Sequence, residues 1–580
     1  MPAFLDPITM QHQLFAELSR MFGEEVPMYD RSLLVNRISN RTAADLLALR
    51  YRGFSATDEQ IDRTSGERHG AIRIGKPIEY QWIARYFGQF GMLAHNFYDM
   101  TSVGTKSQPI IASAFRSSVN PEHRVFTSLL QTASFPAEMR ERIESLLATR
   151  QVFTGRAMEL IERAEADGGL TEADAQDLVS EGARRIFKWT GRARDHQLYV
   201  DLCGAGLKIA ADIACFETHH LNHLTPNTLC MDLFTASMKF AMGEWDESQL
   251  RRRAAVALDR LATSADRATL ALLFRHLRAE EIDGFADALA DAAHARTLDA
   301  AAIDALIDAH VGPLVELRPS MSALPHNGFK DATEGPSWNT PILLRQDAYR
   351  ALTEPVTFVE SDGREIQSEH TARFGEIEQR GWATTPAGRT LYDACLADAE
   401  AERAEHPERA RVDPDAHEAA YVACFDRFPS TLPALLAAGL VFGSHAPTEA
   451  GRSAAAAGSI DTTDLAALVQ RGLVRVNGLR YESFLPVSAA GIFASNLDQY
   501  GTQSYVRDTP EALREHLETL VGGTIIDPVD LSAALEARSI LDTYRELGLL
   551  DAVDDGERTR LTSTAGLLDE ITARQSPARV

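Results

Sequence analysis

Apolar and polar positions along the chain switch repeatedly between a helical and a strand period. Residues 7–24 carry apolar side chains at helical spacing and predict an amphipathic helix. Residues 40–51 predict another, opened by Asn40 or Thr42. Residues 71–75 are short, apolar and strand-like, and a helix is expected around 80–90. Residues 136–168 are helical in composition, and Thr171 with Asp174 resembles a capping box for a helix running toward Arg194. The segment 197–217 is apolar enough to be buried.

The second half begins differently. Residues 244–309 are rich in Ala, Asp, Arg and Leu with almost no glycine, proline or aromatic residue, and read as two to four surface helices with a solvated charged face. Prolines and glycines over 319–341 predict loops and turns. Strand-like runs follow at 341–345, 356–360 and 370–380, then helices at 387–405, 413–427 and 431–440. The Ala/Gly/Ser-rich stretch 448–464 is expected to be mobile. Helices at 509–521 and 530–547 close the fold, with fraying expected over the last dozen residues. We find no tandem repeat.

One strand stands out. Over 370–381 the carboxylates alternate with bulkier residues, so Glu376 and Glu378 share one face while Ile377 and Gln379 share the other. Two acids on one strand face fit either a solvated surface beside Arg373 and Arg380 or a metal site completed by histidines from elsewhere.

Composition narrows the choices. Among 580 residues, 58 are basic and 83 acidic, a net charge of −25, which opposes a nucleic-acid surface or a polybasic membrane anchor. A small anionic substrate would then need a local cationic clamp. No apolar run approaches the roughly 20 residues that span a bilayer. The first residues, with Asp6 and no cationic stretch, do not look like a signal peptide, so a cytoplasmic protein is expected. The five cysteines are dispersed, form no Cys-x-x-Cys pair, and read as small buried hydrophobes.

Two segments supply histidines. In Glu67-Arg68-His69-Gly70-Ala71-Ile72-Arg73, an extended chain puts His69, Ala71 and Arg73 on one face, an imidazole and a guanidinium lining one cavity. An exposed His beside an ordinary surface Arg is the bland alternative. In His219-His220-Leu221-Asn222-His223-Leu224-Thr225-Pro226, a helix would align His219 with His223, but the His-Glu-x-x-His pattern of zinc peptidases is absent. Pro226 favours an extended chain before it, with His223 facing inward and His219 and His220 as polar loop residues.

Residues 67–75, 222–226, 370–381 and 481–497 closely resemble the 2-oxoadipate dioxygenase/decarboxylase family, a group related to hydroxymandelate synthase. Phe374-Gly375-Glu376-Ile377-Glu378-Gln379-Arg380 and Phe484-Leu485-Pro486-Val487-Ser488-Ala489-Ala490-Gly491-Ile492-Phe493 are similar to its signature blocks, and the likeness extends to 120–130 and 341–346. Departures are the long insertion between His223 and Glu376, and Glu122-His123 in a segment that is usually more apolar.

The resemblance implies an α+β fold of the vicinal-oxygen-chelate type, a curled β-sheet core around one metal, surrounded by helices and carrying an inserted helical subdomain. The expected division is 1–243 and 313–500 for the two parts of the catalytic core, 244–312 for the insertion and 501–580 for a helical tail. By resemblance, His69, His223 and Glu376 hold Fe(II), with Glu376 preferred over Glu378, which would support it. Arg73 would bind a substrate carboxylate, with His69, His223, Val487 and Ser488 also contacting substrate. The implied reaction joins 2-oxoadipate and O2 to give 2-hydroxyglutarate and CO2, as in lysine catabolism, with no nucleic-acid or membrane partner. The alternative is a Zn- or Mn-dependent lyase, isomerase or hydrolase on the same site.

Overall fold

The computed structural model describes residues 3–101, 107–275, 296–484 and 510–575. Its first helix, Pro7–Glu25, starts where Asp6 accepts a hydrogen bond from the Thr9 N–H and a proline fills the first turn. The second runs Pro27–Arg50, well before the expected start at Asn40 or Thr42. Its first half is hidden from sequence reading because its inner face mixes Met28, Tyr29 and Val35 with buried Ser32, Asn36, Ser39 and Asn40. Asn36 Nδ2 donates to the Asn227 carbonyl at 2.9 Å, and Asn40 Oδ1 accepts from the Leu229 N–H at 2.8 Å. Buried amides that bind backbone leave no amphipathic stripe to detect.

The chain next builds a strand, a helix and three more strands: β1 Arg68–Ile74, the helix Pro77–Gly88, β2 Leu93–Asp99, β3 Ile110–Arg116 and β4 His123–Leu130. β1 lies parallel to β4, while β4 with β3 and β3 with β2 are antiparallel. Both β3 and β4 are buried along their whole length, so neither shows the alternation that marks a half-exposed strand. The region expected to be helical over 136–168 is two helices, Ala137–Ala148 and Gly155–Asp167. Thr171 caps Glu172–Glu181, which ends well short of Arg194. After the two-residue β5, Arg192–Ala193, and the helices His196–Gly204 and Lys208–Cys215, β6 His223–Pro226 pairs antiparallel with β1. The sheet order is β2-β3-β4-β1-β6.

In the second half, β7 Leu344–Ala348 pairs with β10 Glu376–Arg380, and β8 Leu352–Val359 with β9 Glu365–Arg373. The single strand expected over 370–381 is therefore two. The chain breaks at Phe374 and Gly375, where a Cβ on Gly375 would come within 2.3 Å of the Tyr349 ring. β10 forms its own two-stranded sheet with β7 but lies beside β6, joined by an isolated parallel bridge just past the end of β6 in which the Thr228 N–H donates to the Glu378 carbonyl at 2.9 Å. β1, β6 and β10 are thus neighbours, and this adjacency positions the site.

The expected surface subdomain over 244–312 contains Glu247–Ser264, Arg267–Leu273 and the first half of Ala300–Ser322. These helices do not stand apart: Leu250, Leu258, Leu306, Val311 and Leu314 belong to the same buried cluster as the strands of the first sheet. The boundary at 312 falls inside a helix, which also takes in Pro313 and Pro319, so the loop expected from 319 begins later. Residues 448–464 are not a mobile stretch throughout. Thr448 caps the helix Glu449–Ala456 by accepting from the Gly451 N–H at 3.0 Å, as an alanine-rich run permits. The helix Asp555–Gln575 overturns most of the expected terminal fraying, since it buries Ile571 and its Arg574 donates to the Thr524 carbonyl at 2.7 Å. Cys215, Cys230 and Cys395 are buried and Cys203 and Cys424 half-buried; all five are free thiols. The result is a mixed α+β fold with small sheets amid extensive helix. Among the described residues, no helix is long and apolar enough to cross a membrane.

Candidate metal centre

Strand alternation carries His69, Ala71 and Arg73 on one face of β1. The register with β6 sets His223 opposite Ala71 and Thr225 opposite His69, so these join the same face. β10 then adds Glu376 and Glu378. All five charged or imidazole side chains are 5% exposed or less, which removes the reading of an exposed His beside a surface Arg and that of a solvated carboxylate face.

Glu376 Oε2 lies 3.1 Å from Nε2 of His69 and 3.4 Å from Nε2 of His223. The two imidazoles stand perpendicular, with centroids 5.7 Å apart. Thr225 Oγ1 donates to the same carboxylate oxygen at 2.9 Å. Glu378 faces elsewhere: its Oε2 is 2.8 Å from Nδ1 of His69, and Arg380 and Arg124 donate to its two oxygens at 2.8 and 3.1 Å. Two carboxylates equivalent by alternation are thus inequivalent in space.

Burial works against charge on His69, but Glu378 and Glu376 outweigh it and raise the imidazole pKa. Burial lowers His223 to about 4, with Glu376 offsetting the fall only in part, so this ring is neutral near pH 7. Burial would raise the Glu376 pKa; His223 and His69 reverse the effect and keep the carboxyl below its ordinary value. The same reversal holds Glu378 well down, with Arg380 and His69 as the causes. A carboxylate and two imidazoles, with donor atoms within 4.8 Å of one another, form a set suited to a first-row divalent ion. Phe484 packs edge-on to His69 at 4.8 Å and Phe374 stacks on His223 at 5.0 Å, giving the site apolar walls.

Several residues of this surround escaped sequence reasoning. Arg124 is fully buried and also donates to Glu67 and Glu482 at 2.5 and 2.6 Å, while Arg480 donates to Glu67 at 2.9 Å. These partners come from four separated segments, so no local pattern announces them. Arg73 donates to Asp212, which also accepts from Asn222 Nδ2 at 3.1 Å. His219 and His220 are loop residues in structural contacts, as expected, and both are buried: His219 Nε2 lies 3.1 Å from Glu79, and His220 packs against Trp189 with centroids 4.6 Å apart. Val487 and Ser488 lie outside the described residues.

Comparison with known proteins identifies the family. A model of the 2-oxoadipate dioxygenase/decarboxylase family matches residues 14–267 and 315–496. The chain is 34% identical to the 2-oxoadipate dioxygenase/decarboxylase of Pseudomonas putida over 568 residues, 95% of this chain and 99% of that one. It is 31% identical to the enzyme of the same name from Escherichia coli, over 93% of this chain and 98% of the other. Among solved structures, the hydroxyglutarate synthase of Pseudomonas putida in complex with 2-oxoadipate superposes with a TM-score of 0.66 at 31% identity, covering 94% of this chain and 99% of that one.

Proposed function

Because the chain belongs to the 2-oxoadipate dioxygenase/decarboxylase family and is an enzyme of that type, we propose that it binds Fe(II) through His69, His223 and Glu376. The reaction would be 2-oxoadipate + O2 → 2-hydroxyglutarate + CO2, within one substrate molecule and with no separate 2-oxo acid. A role in lysine catabolism, a cytoplasmic location and a vicinal-oxygen-chelate core belong to the same reading. The β1–helix–β2–β3–β4 order supports that core. The observation that carries the proposal is the convergence of Glu376 on Nε2 of both histidines in a fully buried, N/O-only donor set.

Two histidines and one carboxylate would hold the ion with only one anionic side chain, a donor set that would still admit an anionic 2-oxo acid and O2. Fe(II) bound there would supply the redox chemistry of O2. The protein's own residues do the rest. Glu378 accepts from Nδ1 of His69 and so keeps Nε2 aimed at the centre. Arg73 holds the distal carboxylate of the diacid and fixes which C–H faces the oxidising centre. Phe484 and Phe374 exclude water from the histidine faces.

Anaerobic reconstitution followed by incubation with 2-oxoadipate tests the whole reading. Fe(II) alone should restore turnover, with one O2 consumed and one CO2 released per 2-hydroxyglutarate. Turnover restored by Zn(II) or Mn(II) without O2 uptake would replace it with a lyase, isomerase or hydrolase.

A further inference from the structure

His69 and Arg73 are four residues apart on β1, roughly 13 Å of strand. On the reading above, a diacid is anchored at one end beside His69 and at the other by Arg73. Arginine is long and flexible, so it defines a gap of fixed length only if something fixes its head.

Asp212 has that property. It sits fully buried on the helix Lys208–Cys215, which packs on β1 and β9. One carboxylate oxygen accepts from Arg73 Nη1 and from Asn222 Nδ2, the latter at 3.1 Å. The other lies 3.1 Å from His220 Nε2 and 3.7 Å from His370 Nε2. Tyr199 Oη, 2.9 Å from His370 Nδ1, fixes that ring in turn. The carboxylate is held by groups from separate parts of the chain and cannot follow the arginine, so the arginine follows it.

Asp212, His220 and His370 also bring donor atoms within 4.8 Å of one another, which in isolation would suit a cation. The surrounding charge opposes one. The one carboxylate of the cluster is already paired with Arg73, and the nearby Arg373 is taken up by Glu25 at 2.8 Å and Glu354 at 3.6 Å, so those acids are committed elsewhere. A divalent ion there would add buried positive charge that no further carboxylate of the cluster offsets.

We propose that Asp212 is the positioning residue that fixes the Arg73 guanidinium, and through it the length of 2-oxo diacid that the site accepts. This rests on Arg73 as the residue that binds the substrate's distal carboxylate.

The test compares wild type, Asp212→Asn and Asn222→Ala as Fe(II)-loaded enzymes with five-, six- and seven-carbon 2-oxo diacids. Steady-state kinetics are paired with anaerobic calorimetric binding, and a thermal midpoint checks the fold. Asp212→Asn keeps the shape and removes the charge; it should raise KM and Kd for the preferred diacid about tenfold or more, lower kcat less, and flatten the preference among the three lengths. Asn222→Ala, which removes a support of Asp212 and a 3.2 Å contact to His220 Nε2 but leaves the Asp212 carboxylate in place, should move the same quantities less, and it decides the matter if Asp212→Asn does not fold. An unchanged length preference in a folded variant overturns the proposal, as does a loss through kcat alone that is equal for all lengths. A second equivalent of tightly bound metal, present in wild type and lost in Asp212→Asn, overturns it in favour of a metal centre. If wild type binds none of the three diacids, the reading of the main site fails instead.

Discussion

Glu378 Oε2 sits 2.8 Å from Nδ1 of His69, the ring nitrogen opposite the one that faces Glu376. One imidazole thus separates two carboxylates that strand alternation treats alike. On the proposed reading the two do different work, because a group on the far nitrogen sets the tautomer and direction of the ring without touching what the near nitrogen binds.

Substitutions at the pair should therefore diverge. Glu376→Ala is expected to abolish both tight metal binding and turnover. Glu378→Gln should weaken metal affinity by about 10- to 100-fold while leaving turnover measurable at saturating metal. Competition with a chelator of known affinity reads both. Wild-type affinity in Glu376→Ala with complete loss in Glu378→Gln would reverse the assignment.

Gly375 lies in the two-residue break that separates β9 from β10, immediately before Glu376. Its missing Cβ leaves room for Tyr349, whose ring atoms would otherwise lie 2.3 to 2.7 Å from it. Gly375→Ala must therefore move either the buried Tyr349 or the start of β10, at a cost of about 1–3 kcal/mol. Because Glu376 is the next residue, metal affinity should fall together with the unfolding midpoint, and Gly375→Ala/Tyr349→Phe should not restore either, since the ring carbons remain. Wild-type metal affinity in a folded Gly375→Ala would show that the close approach of Gly375 to Tyr349 does not set the carboxylate.

Arg124 joins Glu67, Glu378 and Glu482 at a point with no exposed side chain surface of its own. Removing one member of such a network strands buried carboxylates, which typically costs about 3–5 kcal/mol. Arg124→Met should lower stability by that order and also weaken metal binding through Glu378. Arg124→Lys should recover only part of either, because one ammonium cannot reproduce three directed N–H contacts. Denaturant titration of the two variants separates this from a surface ion pair, for which both would be near neutral.

What could be read in advance follows a physical division. The shared face of His69 and Arg73, and that of Glu376 and Glu378, depends only on the two-residue period of an extended chain, so it survives ignorance of the fold. The inward turn of His223 was legible for a similar reason, through the extended bias before Pro226. Arg124, Glu67 and Asp212 were not legible, because a buried ion pair is specified by its partner, and each partner lies tens to hundreds of residues away. The helices Pro27–Arg50 and Ala300–Ser322 were misread at their ends for opposite reasons. The first hides buried amides on its core face, and the second carries Pro313 and Pro319 without stopping.

His310, on that second helix, offers a pH test of how firmly the helical region is bound to the core. Its Nδ1 is 2.9 Å from Thr42 Oγ1 and its Nε2 is 2.9 Å from Ser237 Oγ, so it joins three helices at a buried point. Burial lowers its pKa to about 4. The unfolded chain takes up the proton near the ordinary value of about 6.5, whereas the folded chain resists until about pH 4. Between those values the unfolded state binds more protons, so stability rises with pH and is lost on acidification. From pH 7 to pH 5 the loss assigned to this one side chain is about 2 kcal/mol. Other buried histidines contribute to the wild-type slope, so the readout is a difference. Urea titrations at pH 7 and pH 5 should show His310→Gln losing less stability than wild type by roughly that amount. Equal losses in the two proteins would mean that the His310 site opens to water before the chain unfolds, and that the Ala300–Ser322 helix is not held as the packing indicates.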